Sequence, residues 1–160
     1  MQYNPQNPII VQGDKSVLLE VNNPLYQAAR DVLSRFAELE KSPEYIHTYR
    51  ISPLSLWNAA STGLAADAII EGLARYSKYP LPGNVEVDIR EYIGRYGRVR
   101  LTRRAEDLLL TSTDVPLILE LQRRKELMPY LIAQEDPHTL RVNPGRRGHI
   151  KQALVNIGYP

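Results

Sequence analysis

The hydrophobic and polar positions in the first fifty residues predict a β-hairpin, a helix and a third strand. Two β-prone runs within residues 9–21 flank Gly13-Asp14-Lys15, a segment with the turn chemistry of a hairpin. Asn23-Pro24 is typical of a helix start, and apolar residues then recur at helical spacing as far as Leu39. Residues 44–51 are rich in Tyr and Ile and predict a strand.

The next fifty residues predict three helices. Ser52 is a good N-cap, Pro53 suits the first helical position, and Gly63 supplies a left-handed stop. A second helix is predicted over about 65–77 and a third over about 85–96, each from one apolar face.

Two short strands follow the third helix. In the first, Val99 and Leu101 share one face, while Arg98, Arg100 and Thr102 share the other. The second covers about 108–112. Three short helices followed by a hairpin is the order of a winged helix-turn-helix, so residues 52–112 are predicted to form a winged-helix-like unit.

The pattern changes after Asp114. A helix, two strands around the turn 135–138, and a helix starting at Asn143-Pro144 complete the chain. The predicted fold class is α+β: a β-hairpin plus helices leading into a winged-helix-like three-helix and hairpin unit, followed by a small β-α-β-β-α unit. The predicted domains are residues 1–104 and 105–160, with the boundary near 104–114.

Composition sets the class of protein and divides the charge unevenly. The chain has 160 residues, no Cys and a formal charge of +2, so disulfides and thiolate metal sites are excluded. No apolar run approaches a membrane span, there is no signal-peptide pattern, and a cytoplasmic location is predicted. Residues 1–94 carry 8 Lys and Arg against 11 Asp and Glu, whereas residues 95–160 carry 12 against 7. The formal charges are therefore −3 and +5, which indicates different partners for the two halves.

The motifs of nucleotide hydrolysis and nucleophilic catalysis are missing from the sequence. No Gly is followed by Lys, which excludes a P-loop, and no Asp-Glu dipeptide is present. His47, His138 and His149 are too far apart in sequence for a metal motif, so neither a catalytic residue nor a metal site is predicted. We expect that this chain alone is not an enzyme.

Basic residues are the strongest candidates for binding. Two groups in the second half suggest contacts with a phosphate backbone, although solvated arginines or salt bridges to a partner protein explain them about as well. The first group lies over residues 95–104. The second, over residues 141–151, surrounds a predicted helix N-terminus, which favours anions. The candidate DNA-binding residues are Arg95, Arg98, Arg100, Arg103, Arg104, Arg141, Arg146, Arg147 and Lys151. Trp57, Tyr76, Tyr92 and Tyr96 fall on apolar helical faces, which favours core packing over base stacking.

Several strings of the sequence are distinctive in combination: they include Asn7-Pro8-Ile9-Ile10-Val11-Gln12, Ile46-His47-Thr48-Tyr49-Arg50-Ile51, the Trp57 helix and Arg95-Tyr96-Gly97-Arg98. Together they resemble the N-terminal region of XPB-type DNA repair helicases, relatives of the translocase subunit of transcription factor IIH. The resemblance covers nearly the whole chain. Tyr45 stands where close relatives are expected to have His.

The resemblance implies a non-catalytic accessory region of an ATP-dependent superfamily 2, 3′-to-5′ DNA helicase. It implies an N-terminal domain over residues 1–104 that docks partner proteins, then the start of a damage-recognition-like module over 105–160. ATP and magnesium would bind only in a helicase core encoded further along, so no cofactor is expected in this chain. The implied partners are duplex or forked DNA, the protein's own helicase core, and a repair nuclease or another protein partner.

Two alternatives remain open from the sequence. The chain could be a stand-alone protein-docking scaffold whose acidic, tyrosine-rich front half meets a partner. It could also be a winged-helix regulator that reads DNA with the helix over 85–96, although that helix offers few base-reading side chains beyond Asn84, Arg90 and Arg95.

Overall fold

The computed structural model describes residues 3–160, which form two compact units. The first ends at Gly94 and the second covers Arg95–Pro160. Each unit has its own four-stranded antiparallel sheet and its own hydrophobic core. The α+β prediction is therefore confirmed. Within residues 3–160, no helix is long and apolar enough to cross a bilayer.

The sheet of the first unit begins with the predicted hairpin. Its strands are β1 (Ile9–Val11), β2 (Ser16–Glu20), β3 (Glu38–Lys41) and β4 (Ile46–Arg50), in the order β1-β2-β4-β3. In the turn, the Asp14 carboxylate accepts hydrogen bonds from the Ser16 backbone N–H at 2.9 Å and from its hydroxyl at 2.6 Å. These bonds lower the pKa of Asp14, because they favour the ionised form.

Four helices complete the first unit: α1 (Tyr26–Leu33), α2 (Pro53–Ser61), α3 (Ala66–Tyr76) and α4 (Gly83–Arg95), the last residue of which lies in the second unit. The predicted start of α2 is confirmed, since the Ser52 and Ser55 side chains each accept a hydrogen bond from the other residue's backbone N–H. Gly63 has φ +90°, as its predicted role as a helix stop requires.

The prediction that these aromatic side chains pack in the core is confirmed for Trp57 and wrong for Tyr96. Trp57 is 7% exposed, and its indole N–H donates to the Tyr92 carbonyl at 2.9 Å. Tyr76 and Tyr92 pack against the core of the first unit. Tyr96 is 43% exposed, because it follows the last residue of α4 and is carried off the apolar helical face.

The helix predicted to continue to Leu39 ends at Leu33 instead. Backbone N–H groups of Phe36 and Ala37 bond the Leu33 carbonyl, which closes the helix in a turn. The chain then forms β3, in which Glu38 and Leu39 pair with Arg50 and Tyr49 of β4. Leu39 is 52% exposed rather than in the core, so its helical spacing was misleading.

The second unit follows the predicted β-α-β-β-α order, with one additional strand in front. Its strands are β5 (Arg100–Arg104), β6 (Asp107–Thr111), β7 (Leu131–Asp136) and β8 (Thr139–Val142), and its helices are α5 (Val115–Arg123) and α6 (Arg147–Asn156). Short 3-10 helices cover Met128–Tyr130 and Pro144–Arg146. The strand order is β5-β6-β8-β7.

The two helices cover one face of this sheet. Leu108, Leu110, Leu140 and Val142 share a core with apolar residues of α5 and α6. Because side chains alternate along a strand, the other face carries the intervening positions of each strand. We call this second surface the open face; it carries Arg100, Thr102, Arg104, Asp107, Leu109, Thr111, Thr139 and Arg141.

The winged-helix prediction for residues 52–112 is not confirmed, and the compact units divide earlier than 104/105. The β5–β6 hairpin belongs to the sheet of the second unit, since β6 pairs on its other side with β8. Val99, Leu108 and Leu110 pack into the second core. The pairing of β6 with a strand thirty residues further along is a long-range contact that local patterns do not encode.

Candidate nucleic-acid interface

All nine predicted basic residues lie in the second unit. The structure separates them by what each guanidinium or ammonium group contacts. Three of the nine have contacts that hold them in place: Arg95, Arg98 and Arg104.

Arg98 and Arg104 form ion pairs. The Arg98 guanidinium bonds the carboxylate of Asp114, whose other oxygen accepts from the Leu117 N–H at 3.2 Å as the N-cap of α5. Arg104 Nη2 lies 2.6 Å from Glu135 Oε1 and 3.5 Å from Asp107 Oδ2. The Glu135 hydrogen bond, followed by its charge, raises the pKa of Arg104.

The pair between Arg104 and Glu135 joins the two edge strands of the sheet. Edges of a flat four-stranded sheet are about 14 Å apart, so both side chains must extend over the open face to meet. Arg104 is shared by two carboxylates, that of Asp107 directly opposite it and that of Glu135 from the diagonally opposite corner of the sheet, so it contributes no excess positive charge. A phosphate backbone would meet repulsion here.

Arg95 supports the end of the chain. Its guanidinium carbon lies 5.5 Å from the ring centroid of Tyr159, a cation–π distance. The same guanidinium covers Gly158, which has φ +97°, so a Cβ there would come within 2.4 Å of Arg95 Nη1. Arg95 thus acts in local packing.

The remaining six candidates have no recorded ion pair within the described range 3–160: Arg100, Arg103, Arg141, Arg146, Arg147 and Lys151. The two groups predicted from sequence proximity are redistributed by the fold. Arg141 shares the open face with Arg100, whereas Arg147 and Lys151 lie on α6. Arg103 lies on the side of β5 that bears Val99 and Leu101.

A cavity of about 640 Å³ lies at the Arg100 end of the open face. Arg98 and Arg100 line it together with three hydroxyl residues, Thr111, Ser112 and Thr113, and with His138. The Ser112 hydroxyl is engaged by the Asp114 N–H at 3.1 Å, while Thr113 is exposed. Guanidinium and hydroxyl groups are the side chains that contact phosphate oxygens in protein–DNA complexes.

His138 is fixed at the rim of this cavity. Its Nδ1 lies 3.0 Å from the Ser112 carbonyl oxygen, which can only accept, so Nδ1 carries the hydrogen. The sequence predicts only that His138 is not a metal ligand, and it does not select the hydroxyl run 111–113. The available signal was that three hydroxyl residues directly follow an apolar strand.

No group of three or more His, Asp or Glu side chains suited to a metal ion occurs between residues 3 and 160. The side chains that line the cavity are cations, hydroxyls and one imidazole. The cavity offers hydrogen-bond donors to an anion.

Comparison with known proteins assigns the chain to a class. A family model described as "helicase conserved C-terminal domain" matches residues 9–136. That match covers most of the chain, which therefore belongs to this helicase family.

Curated relatives specify the kind of helicase. The chain is 46% identical over 154 residues to the "DNA 3'-5' helicase XPB" of Mycobacterium tuberculosis, covering 96% of this chain and 28% of the relative. It is 41% identical to the protein of the same name from Kineococcus radiotolerans, again over 28% of that relative. A Dictyostelium discoideum protein named "General transcription and DNA repair factor IIH helicase/translocase subunit XPB" is 34% identical over 89% of this chain. The resemblance to XPB-type helicases is confirmed, and the chain spans about 28% of the length of the bacterial relatives.

Proposed function

We propose that this chain is a non-catalytic accessory region of an XPB-type 3′-to-5′ DNA helicase, and that its second unit holds DNA beside the motor. Its family and the names of its relatives support the helicase context. The sequence has no P-loop pattern, so ATP and magnesium would be bound by other segments of a full-length protein. A cytoplasmic location fits bacterial relatives of this kind.

The observation that carries the DNA proposal is an unpaired Arg100 at a cavity lined by hydroxyl residues. Arg100 is exposed, faces the same side of the sheet as Arg141, and has a formal charge of +5 around it in the second unit. Arg104, at the other end of β5, is neutralised by Asp107 and Glu135. Phosphates are therefore expected at the Arg100 end, with Thr111 and Thr113 supplying neutral donors.

The test is fluorescence anisotropy of the 160-residue chain with a fluorescein-labelled forked duplex at low salt. Arg100→Glu should weaken binding by at least about tenfold, because a phosphate contact becomes a repulsion. Arg123→Glu is the matched control, since Arg123 is an exposed arginine at the end of α5, on the covered side of the sheet. No binding at low salt, or equal losses in both variants, would overturn the proposal.

The domain assignment is a proposal of the same kind. The damage-recognition-like module, predicted over 105–160, would begin at Arg95 if it follows the compact unit. Residues up to Gly94 would then form the accessory domain that docks proteins. Limited proteolysis tests this, since cleavage between residues 94 and 100 with both halves protected would favour the earlier boundary.

Protein docking by the first unit is a second candidate function, favoured by an exposed sheet edge. All four residues of β3 are exposed, and Tyr45 and Ile46 beside it are 61% and 44% exposed. With a formal charge of −3 for residues 1–94, this edge suits a basic partner. The helicase core of the same protein or a repair nuclease are the proposed partners. In a pull-down, the Tyr45→Ala variant should fail to capture the isolated helicase core while it still binds DNA, which would separate docking from DNA binding. Equal capture of the core by the variant and the unsubstituted chain would refute the docking proposal.

A further inference from the structure

A groove of about 430 Å³ runs along the outer edge of β5, on the side towards α6. Four consecutive residues, 99–102, line it. Because successive side chains in a strand point to opposite faces, a single groove can touch four in a row only along the strand's edge. The groove therefore exposes the backbone of β5 as well as its side chains.

The edge of β5 has no strand partner within the described sheet. The strand order β5-β6-β8-β7 places β5 at one end, so the N–H and C=O groups on its outer side make no sheet hydrogen bonds. Such an edge is a template for pairing with an extended chain. The partner would lie in the groove as a fifth strand.

The opposite wall of the groove is apolar and held in place. Leu154, Val155 and Tyr159 contribute to it. The Tyr159 N–H bonds the Leu154 carbonyl at 2.8 Å, and the Arg95 guanidinium lies over the Tyr159 ring. A wall that is already ordered lowers the entropic cost of binding. It suits apolar side chains at alternate positions of an extended segment.

The charge of the groove selects the partner. Arg100, Arg147 and Lys151 line it, and no Asp or Glu side chain is among the lining residues. Arg147 and Lys151 are one helical turn apart, so they present two positive charges along one side of α6. They repel a basic strand, including a second β5, and attract acidic side chains.

We propose that this groove binds an extended acidic peptide segment by adding it to β5 as an edge strand, with both carboxylate and apolar side chains at the alternate positions that face α6. The backbone of the peptide pairs with residues 99–102. Among the peptide side chains that face α6, carboxylates meet Arg147 and Lys151 and apolar groups contact Leu154 and Val155. Arg100 lines both this groove and the cavity of the open face, whereas Arg147 and Lys151 line the groove and not that cavity.

The binding test uses fluorescence anisotropy of the 160-residue chain with the labelled peptide Gly-Glu-Ser-Glu-Ser-Val-Ser-Leu-Gly, whose acidic and apolar side chains share one face of an extended strand. Arg147→Glu combined with Lys151→Glu should weaken binding by at least about tenfold. Arg123→Glu combined with Lys125→Glu is the matched control, because it reverses one exposed arginine and one exposed lysine outside the groove. Equal losses in the two double variants would show general charge attraction and overturn the proposal.

The pairing itself is tested by a second peptide with N-methyl groups on alternate backbone amides, which removes donors and leaves the charge unchanged. It should bind at least about tenfold more weakly, and the unmethylated peptide should slow amide hydrogen exchange at residues 99–102. Unchanged exchange would overturn the proposal. The proposal would also be overturned if the unsubstituted chain bound no peptide while the Arg147/Lys151 double variant lost forked-duplex binding. The groove would then be a nucleic-acid surface.

Discussion

Asp114 has two roles at the start of α5, and substitutions separate them. One carboxylate oxygen caps the helix through the Leu117 N–H at 3.2 Å, and the other bonds the Arg98 guanidinium. Asp114→Ala removes both interactions. Asp114→Asn retains a capping oxygen and removes the charge.

The expected costs follow from the geometry and exposure of the pair. Losing an N-cap costs about 1 kcal/mol. The ion pair is 43% and 30% exposed on its two sides, so a surface value of about 0.5 kcal/mol applies. Asp114→Ala should therefore lower the free energy of unfolding by about 1.5 kcal/mol, whereas Asp114→Asn should lower it by about 0.5–1 kcal/mol, including the lost helix-dipole term.

The assay is urea denaturation followed by far-UV circular dichroism, with amide hydrogen exchange at Leu117 as the local probe. Arg98→Ala completes a double-mutant cycle with Asp114→Asn, and a coupling energy of about 0.5 kcal/mol is expected. If the asparagine variant loses as much stability as the alanine variant, the cap is not the main contribution. Zero coupling would show that the ion pair contributes nothing in solution.

Three further predictions concern single positions. Trp57→Phe removes the indole bond to the Tyr92 carbonyl and should cost about 1–2 kcal/mol in the free energy of unfolding, measured by urea denaturation; no change would refute a role for that bond. Asp14→Asn should flatten the fall in stability at low pH. The lowered pKa of Asp14, caused by Ser16, stabilises the fold above the unfolded value of about 3.8, and this is lost as pH falls through the folded pKa; identical acid profiles would contradict this. Gly97→Ala should cost about 1 kcal/mol, since φ is +75° and no atom lies within 4 Å of the new Cβ; a thermal shift below 1 °C would argue against the left-handed backbone.

Local signals predicted most of the secondary structure. The hairpin turn before Ser16, the cap at Ser52 and the stop at Gly63 are set by residues a few positions apart, so the sequence alone was sufficient. The helix prediction for Leu39 was wrong because a residue can match helical spacing by coincidence. Its pairing with Tyr49 depends on a strand further along the chain. The grouping of β5 and β6 with β8 is likewise long-range.

The candidate site was only partly predictable for the same reason. The sequence identifies the basic residues, but whether each one is free to bind a phosphate depends on carboxylates that are distant in the sequence. Arg104 is paired with Glu135, which is 31 residues away, so its neutralisation was invisible to local reasoning. Arg98 meets Asp114 across 16 residues. Arg100 has no such partner, although it looks no different from its neighbours in sequence.

The most direct test of DNA binding by the open face is the salt dependence of forked-duplex affinity, measured for the 160-residue chain and two variants. The slope of log K against log salt concentration is negative, and each lost phosphate contact should make it shallower by about 0.9. Arg100→Ala should show that reduction, whereas Arg104→Ala, which removes an already paired cation, should leave the slope within error of the unsubstituted chain. A slope near zero for the unsubstituted chain, or a larger change for Arg104→Ala than for Arg100→Ala, would contradict the account.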